Sequence, residues 1–318
     1  MRRAFCLGVA VAAMAIAWGA ASGCGSSNPN SGFPGAAGDG GSGSSSGGGS
    51  TSDAPGSFTG DGGPTFPDGG APSQDGGTGT PISIVYAQSA DTLYRMDPTS
   101  KQVAVVGAFS GGCSSVIDIA IDSNSNGYVT TSSNLWKVDL TTAACTMIST
   151  GSYPNSLSFV PKGTLDPNAE ALVGYNGSEY IRIDTTTGKV TSIGTIGGGY
   201  SSSGDIVSVI GGGTFLTVKG GKESCNDCLL QIDPKTGALV QSYGSVAHAD
   251  VFGLAFWAGT AYGFDNGGQV FSIGWQNGQL VTQNIPVPNP PPGLSFWGAG
   301  STTSAPPTSA DGGGIPIQ

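Results

Sequence analysis

Short runs of alternating apolar and polar residues recur between residues 93 and 274. An alternation with a period of two places successive side chains on opposite faces of a β-strand. Most of these runs end in an aspartate, and a turn rich in Thr, Pro or Gly leads into a second alternating run. The four clear copies and one degenerate copy are Leu93–Thr99, Leu135–Thr141, Tyr180–Thr186, Leu229–Lys235 and Val270–Gly274.

The aspartates of the clear copies, Asp97, Asp139, Asp184 and Asp233, recur at intervals of 42, 45 and 49 residues. Periods of this size are typical of propeller blades and other repeat arrays. An aspartate before a Thr- or Gly-rich turn accepts hydrogen bonds from the backbone amides of that turn. We therefore interpret these four aspartates as turn residues and not as catalysts.

A more apolar stretch lies upstream of each repeat and has the pattern of a strand buried on both faces. A further strand lies between this stretch and the repeat, for example at Gly127–Thr131. The unit therefore has four strands, which is the blade of a β-propeller. The predicted inner strands are 116–121, 157–160, 206–210, 252–257 and 294–297.

The two ends of the repeat region complement each other. Residues 82–109 supply three strands and lack an inner one, whereas residues 294–299 supply an inner strand and nothing after it. Joining them predicts an all-β fold of five four-stranded blades over residues 81–300, with one blade closed by both chain ends. Such closure removes an exposed sheet edge.

The sequence LWKVDLTT of Leu135–Thr142 is similar to the repeats of YVTN-type and quinoprotein-like β-propellers. The resemblance covers residues 81–300 and implies the fold alone, because unrelated activities share this architecture. The tryptophan-docking repeat of quinone-dependent dehydrogenases is not matched, which argues against a bound quinone.

The N-terminus carries two arginines and then an apolar run over residues 4–21. This pattern predicts a secretory signal peptide over residues 1–23. A membrane anchor is the alternative, although the run is at the lower edge of the spanning length.

Ala21–Cys24 resembles the lipobox of bacterial lipoproteins. The resemblance implies cleavage before Cys24 and acylation of that cysteine. Stable anchoring in a membrane needs more than one acyl chain. An ordinary secreted protein is the other alternative.

Residues 24–80 consist mostly of Gly, Ser, Pro, Asp and Thr. Such a segment cannot bury enough apolar surface to offset its conformational entropy, so we predict a disordered linker. Residues 301–318 have a similar composition and are predicted to be a disordered tail. Gly25 stands where aspartate would mark inner-membrane retention in enterobacterial lipoproteins, which favours the outer membrane as the location.

The charge composition excludes several classes of function. The chain has 318 residues, a net charge of −10, only 10% charged residues and a single histidine, His248. A strongly basic surface is absent, which argues against nucleic-acid binding. Sites built from several histidines are also excluded. A pair of His248 with its neighbour Asp250 could serve as a base, but we interpret His248 as a surface or turn residue.

Four cysteines remain after the signal peptide and Cys24, and an even number in an exported protein predicts disulfide bonds. Three pairings are open, and proximity in sequence favours Cys113 with Cys145 and Cys225 with Cys228. The C-x-x-C motif of the second pair could also be a redox dithiol or half of a zinc site. We interpret it as a disulfide in a long hairpin loop.

One loop matches the opening of a calcium-binding loop, with Asp122, Asn124 and Asn126 at alternate positions. Oxygen atoms at this spacing can converge on one hard cation. Ser133 occupies the position of the bidentate glutamate, so a hairpin turn is the favoured interpretation. Ca²⁺ is the one cofactor that the sequence leaves open.

The candidate ligand-binding residues are Asp118 and Asp205, at or beside inner strands, and Trp257 and Trp297, at the ends of predicted inner strands. The aspartates could line the central channel or bond strand ends. The tryptophans could stack on sugars or pack between blades. The glutamates do not lie on predicted inner strands, and no catalytic set is assigned.

These observations predict a monomeric, lipid-anchored β-propeller displayed on the cell envelope. We expect it to bind an envelope protein or a polysaccharide without catalysis. A channel-sited hydrolase, either a glycosidase or a lactonase-like enzyme with assistance from calcium, is the first alternative. A structural spacer is the second.

Overall fold

The computed structural model describes residues 84–276 and 279–306. The predicted signal peptide, Cys24 and the linker lie outside these residues, as does the tail from residue 307. The described residues form strands and no helix. Within them, no segment qualifies as a membrane-spanning helix.

Twenty strands alternate with turns along the described chain. In order they are β1 (Val85–Gln88), β2 (Thr92–Met96), β3 (Val103–Ala108), β4 (Asp118–Ile121), β5 (Gly127–Thr130), β6 (Asn134–Val138), β7 (Cys145–Thr150), β8 (Leu157–Val160), β9 (Ala171–Asn176), β10 (Glu179–Ile183), β11 (Val190–Thr195), β12 (Tyr200–Val209), β13 (Gly213–Gly220), β14 (Cys225–Ile232), β15 (Leu239–Ser245), β16 (Val251–Trp257), β17 (Thr260–Asp265), β18 (Val270–Gln276), β19 (Gln279–Ile285) and β20 (Gly298–Ser301).

The strands pair into five antiparallel four-stranded sheets, which are the blades of a five-bladed β-propeller. Blade 1 has the order β20-β1-β2-β3, and blades 2 to 5 consist of β4–β7, β8–β11, β12–β15 and β16–β19. The last strand pairs with the first, with Val85 opposite Ser301 and Gln88 opposite Gly298. The predicted number of blades and the closure by both chain ends are confirmed.

The closing strand lies four residues beyond the predicted position, at Gly298–Ser301 instead of 294–297. Its sequence is Gly-Ala-Gly-Ser, and a Cβ atom at Gly298 would overlap with the carboxyl group of Asp118. Only small residues fit at this crowded place near the axis, so the apolar stretch packs in the preceding loop, where Phe296 is fully buried. Apolar character was therefore the wrong signal for this strand.

The repeat aspartates form the predicted turns. Asp97 Oδ1 accepts hydrogen bonds from the amides of Thr99 (2.7 Å) and Ser100 (2.8 Å). Asp139, Asp184 and Asp233 accept equivalent bonds from the residues that follow them. These bonds stabilise the hairpin that leads into each outer strand.

The same turns hold neighbouring blades together. Gly237, in the turn after β14, has a positive φ of 68° and lies directly against the ring of Tyr180 in blade 3. Its carbonyl accepts a hydrogen bond from Tyr175 Oη (2.6 Å), and Tyr180 Oη donates to Pro234 O (2.9 Å). A side chain at Gly237 would occupy the space of the Tyr180 ring. The glycine that ends this turn is therefore a packing residue between blades.

Both favoured disulfides are present. Cys113–Cys145 connects the segment between blades 1 and 2 to β7. Cys225–Cys228 lies at the start of β14 and not in the predicted hairpin loop, because β14 begins at Cys225. Glu223 lies beside this pair. A disulfide has no thiolate to offer a metal, so this cluster is not a zinc site.

Candidate functional site

The five inner strands, β4, β8, β12, β16 and β20, surround the propeller axis and define its two ends. We call the end at which these strands begin the mouth end and the opposite one the tail end. The starting segments of β4 and β8 meet at the mouth end, because Leu157 N donates a hydrogen bond to Asp118 Oδ2 (2.6 Å).

A pocket of about 210 Å³ opens at the mouth end. Three of its residues come directly before inner strands or near their start: Ile117 before β4, Trp297 before β20 and Phe252 in β16. Asn155, just before β8, and Asn266 complete the wall. The lining is therefore aromatic and apolar with two amide groups, and it carries no charge. Trp297 is 38% exposed, so its ring is available to a ligand.

Beneath this pocket, the carboxyl groups of Asp118 and Asp205 are fully buried. Asp118 Oδ1 accepts from the amide of Ile119 (2.8 Å), in addition to the bond from Leu157 described above. Asp205 Oδ1 accepts from Ile206 N (2.7 Å), and its Oδ2 accepts from Leu254 N of β16 (2.9 Å). Each carboxyl group thus connects the inner strands of two neighbouring blades.

The two carboxyl groups are neighbours at the axis, because Asp118 lies against Gly298 of β20 and Asp205 lies beside the next residue, Ala299. Burial raises the pKa of Asp118 well above its usual range. Burial, and then the neighbouring Asp118 carboxyl, raise the pKa of Asp205 in the same direction. A buried carboxyl group favours its neutral form because desolvation penalises the charge.

Gln88 on β1 completes the polar environment of the axis and is itself fully buried. When the amide is oriented to satisfy both partners, its nitrogen donates to Gly298 O (2.9 Å) and its oxygen accepts from Gly298 N (3.1 Å). This pair of bonds holds the closing strand beside Asp118. Gln88 is uncharged, so it supplies no counter-ion for the carboxyl groups.

The structure separates the four predicted ligand-binding residues. Trp297 lines the mouth pocket, whereas Asp118 and Asp205 lie below it without exposed surface. Trp257 ends β16 at the tail end and packs against the cluster that contains Tyr262 and Phe264. The two tryptophans therefore lie at opposite ends of the axis, and the sequence did not distinguish them.

The remaining wall residues of the pocket, Ile117, Asn155, Phe252 and Asn266, were not singled out from the sequence. The first three lie at or just before the start of inner strands, which is a usable signal once the strands are assigned. Asn266 lies in the turn between β17 and β18, and only the packing of blade 5 brings it to the mouth.

The predicted calcium loop forms a compact turn between β4 and β5. Asp122 Oδ1 accepts from the amides of Asn124 (2.9 Å) and Asn126 (2.8 Å), and Asp122 Oδ2 accepts from Asn126 Nδ2 (2.8 Å). Both carboxylate oxygens are thus used within the loop. Glu170 approaches from blade 3 and accepts from Ser123 N (2.7 Å). Calcium binding by Asp122, Asn124 and Asn126 stays a prediction.

The tail end of the axis is crossed by the residues that follow β20. Thr303 O accepts from Ile210 N (3.0 Å), and Pro306 O accepts from Gly259 N (3.3 Å). The hydroxyl of Thr303 also donates to Glu170. The packed region therefore continues to Pro306, beyond the expected boundary at residue 300, and the chain itself covers this end.

His248 lies in the segment between β15 and β16, and its side chain is 12% exposed. Its ring stacks on Phe271 with 3.7 Å between ring centroids, and its Nδ1 is 3.8 Å from Asp265 Oδ2. The acidic neighbour in space is Asp265 and not the adjacent Asp250. The side chain contributes packing at this position.

A wider groove of about 630 Å³ lies on blade 3, and Arg182, Asp184 and Lys189 are among its lining residues. Arg182 pairs with Asp166 at 3.3 Å. The groove therefore carries charges of both signs, and Arg182 is already paired. It lacks the aromatic wall of the mouth pocket. The mouth pocket is the stronger candidate site.

The chain was compared with protein families, curated proteins and solved structures. No family model matches it, and no curated protein does. It is similar to hydrazine synthase of Kuenenia stuttgartiensis, with 14% identity and a TM-score of 0.34, over 63% of this chain and 61% of that one. The chain therefore spans about three fifths of the hydrazine synthase chain.

Two further solved structures are similar at the same distant level. A nidogen–laminin complex has 10% identity and a TM-score of 0.44, over 70% of this chain and 99% of that one. A protein of unknown function from Bacteroides caccae has 11% identity and a TM-score of 0.36, over 67% and 76% of the two chains. These similarities carry no argument about function, and the number of blades follows from the sheet pairing described above.

Proposed function

We propose that this protein is a non-catalytic binding module of the cell envelope and that a polysaccharide binds in its mouth pocket. The observation that supports this most strongly is the uncharged wall of Trp297 and Phe252 beside the amides of Asn155 and Asn266. Aromatic rings cover the apolar face of a sugar ring, and side-chain amides hydrogen-bond its hydroxyl groups.

The size of the pocket limits what it can hold. Pockets for drug-sized ligands measure roughly 300–1,000 Å³, whereas the mouth pocket measures about 210 Å³. This volume matches a single sugar ring better than a longer stretch of a polysaccharide chain. We therefore expect recognition of one terminal or projecting sugar residue.

A binding role is favoured over the hydrolase alternative by the state of the two aspartates. Glycoside hydrolysis needs an acid and a base or nucleophile that reach the substrate and water. Asp118 and Asp205 have no exposed surface, and their oxygens accept backbone hydrogen bonds. They are suited to joining strands and not to attacking a ligand.

The binding test uses the full-length protein and its tryptophan fluorescence, titrated with a panel of neutral oligosaccharides. Trp297→Ala removes the exposed ring of the mouth, and we expect at least a tenfold loss of affinity, which corresponds to about 1.4 kcal/mol. The matched control is Trp257→Phe at the tail end, which should retain wild-type affinity. Equal binding by both variants, or no binding to any sugar, would contradict the proposal.

The anchoring part of the proposal rests on the Ala21–Cys24 sequence and on the linker of residues 24–80. A flexible linker of this length has a reach on the order of 40 Å, which separates the propeller from the membrane surface. In a bacterial host, Cys24→Ser should move the protein from the outer-membrane fraction to the soluble fraction. Retention of Cys24→Ser in the membrane would contradict lipidation at this cysteine.

A further inference from the structure

The five inner strands are joined through two carboxyl groups. Asp118 lies on β4 and accepts a hydrogen bond from β8, while Asp205 lies on β12 and accepts one from β16. The amide of Ala299 on β20 adds a hydrogen bond to Asp205. The two carboxyl groups are neighbours, which brings both halves together. All five blades therefore meet at this one pair.

Two ionised carboxylates cannot form this contact favourably, because like charges repel strongly in a buried site. The inner strands contain no other Asp or Glu, and no Lys, Arg or His. Gln88 on β1 and Thr217 on β13, the other polar side chains at the pair, are neutral. None of the lysines and arginines in the described residues is buried. Two fully buried carboxyl groups that lie side by side without a buried cation therefore require that one of them carries a proton.

We propose that Asp118 and Asp205 share a single proton at neutral pH and that this protonated pair joins the five blades at the axis. One carboxyl group donates its O–H to the other, and the backbone amides bond the remaining lone pairs. Loss of the proton at alkaline pH places two charges in contact and weakens the axis. The pair is a proton-binding element of the fold that is independent of any ligand.

The direction of the pH effect follows from the shared proton. The folded state holds this proton at a pH where the unfolded chain has released it, so the folded pKa is raised. The pair contributes its full stabilisation below the unfolded pKa of about 3.9. This contribution is lost as the pH rises through the folded pKa. The propeller should therefore become less stable on the alkaline side.

The pair also connects to the mouth pocket, and this step rests on the proposed function. Ile117 and Trp297 are adjacent in sequence to Asp118 and Gly298, and Phe252 comes two residues before Leu254. A change in the pair therefore acts directly on the segments that form the pocket wall. We expect the affinity for a bound sugar to fall over the same alkaline pH range as the stability.

The direct test is NMR of the full-length protein with ¹³C-labelled aspartate carboxyl groups. We expect two aspartate resonances that still titrate above neutral pH, and Asp118→Asn and Asp205→Asn would assign them. Fully ionised signals from both residues at neutral pH would overturn the proposal. So would a shift of these signals on addition of EDTA, because it would indicate a bound cation in place of the proton.

The stability test compares urea unfolding between about pH 6 and about pH 10. Wild-type protein should lose stability over this range, and the double variant Asp118→Asn/Asp205→Asn should lose this slope. The matched control is Asp139→Asn/Asp184→Asn, which makes the same two substitutions in surface turns and should keep the wild-type slope. Equal slopes in all three proteins would overturn the proposal. If the double variant does not fold, the NMR titration decides.

The two proposals can fail separately. If no sugar binds but the pair titrates as described, the shared proton stands and the proposed ligand is wrong. If a sugar binds with an affinity that does not change over the alkaline range, the connection to the pocket is wrong. If the pair is ionised at neutral pH, the shared proton is wrong whatever the pocket binds.

Discussion

The two ends of the axis are closed in different ways. At the mouth end, side chains close the channel: the carboxyl groups of Asp118 and Asp205 meet below an open pocket. At the tail end, the chain itself crosses the opening, and Thr303 and Pro306 bond to the loops after β12 and β16. The mouth end therefore stays accessible down to the two carboxyl groups, whereas the residues after β20 cover the tail end. Ligand access is therefore expected at the mouth end alone.

The largest expected effect comes from crowding the mouth end. Gly298→Ala would place a methyl group against Asp118 and within 2.7 Å of the Gln88 amide. Overpacking of this kind should lower the free energy of unfolding by about 3 kcal/mol. Chemical denaturation measures the loss, and Gly274→Ala in β18, where a Cβ meets nothing within 4 Å, is the matched control. Similar stability of the two variants would show that the axis is not tightly packed.

Removing the cover of the tail end should have the next largest effect. A chain that ends at Ser301 loses the hydrogen bonds to Ile210 and Gly259 as well as the contact with Glu170. We expect a loss of about 2 kcal/mol, because two backbone amides lose their partners. A chain that ends at Pro306 keeps these bonds and serves as the control. Sugar binding at the mouth should be unchanged in both chains. A loss of sugar binding on truncation would show that the two ends of the axis are not independent.

A smaller effect is expected from Glu170→Gln. The Glu170 carboxylate accepts from Ser123 N and from the hydroxyl of Thr303, so it connects a loop of blade 2 to the tail. The amide keeps one acceptor and loses the charge, which should cost about 1 kcal/mol in unfolding free energy. Glu179→Gln, at the start of β10, is the control. An unchanged stability would mean that the tail is held by its backbone bonds alone.

The smallest effect is expected from calcium. Since Asp122 uses both carboxylate oxygens within its own loop, adding Ca²⁺ or EDTA should leave the thermal midpoint unchanged. A ligand at 100 times its dissociation constant would stabilise the protein by about 2.7 kcal/mol, which shifts the midpoint by a few degrees. Such a shift, reversed by EDTA, would make Asp122, Asn124 and Asn126 metal ligands.

Repeat patterns were sufficient to predict most of the fold. The aspartate turns, the alternating strands and β8 at Leu157–Val160 agree with the structure because their causes are local. The position of β20 was wrong because a strand of Gly, Ala and Ser has no hydrophobic signature. The C-x-x-C motif was placed in a loop because the sequence does not show that β14 begins at Cys225.

The candidate site was only partly predictable. Trp297 was singled out because it ends the predicted inner strand 294–297, whereas the structure places it just before β20. Trp257 was singled out for the same reason and lies at the other end of the axis. The local pattern cannot distinguish these two positions, because the direction of the closing strand and its register must be known first. Asn266 reaches the mouth through a turn of another blade, which no local pattern indicates.

The contrast between features set by short sequence segments and features set by the folded structure is clearest at the axis. Strand alternation, turn chemistry and the complementary chain ends are properties of short segments, so the residue order alone was enough to specify five blades and their closure. The meeting of Asp118 with Asp205, the small residues of β20 and the cover over the tail end were decided by the folded structure. These features depend on which strands become neighbours around a closed ring, and atoms from different blades compete there for the same narrow space.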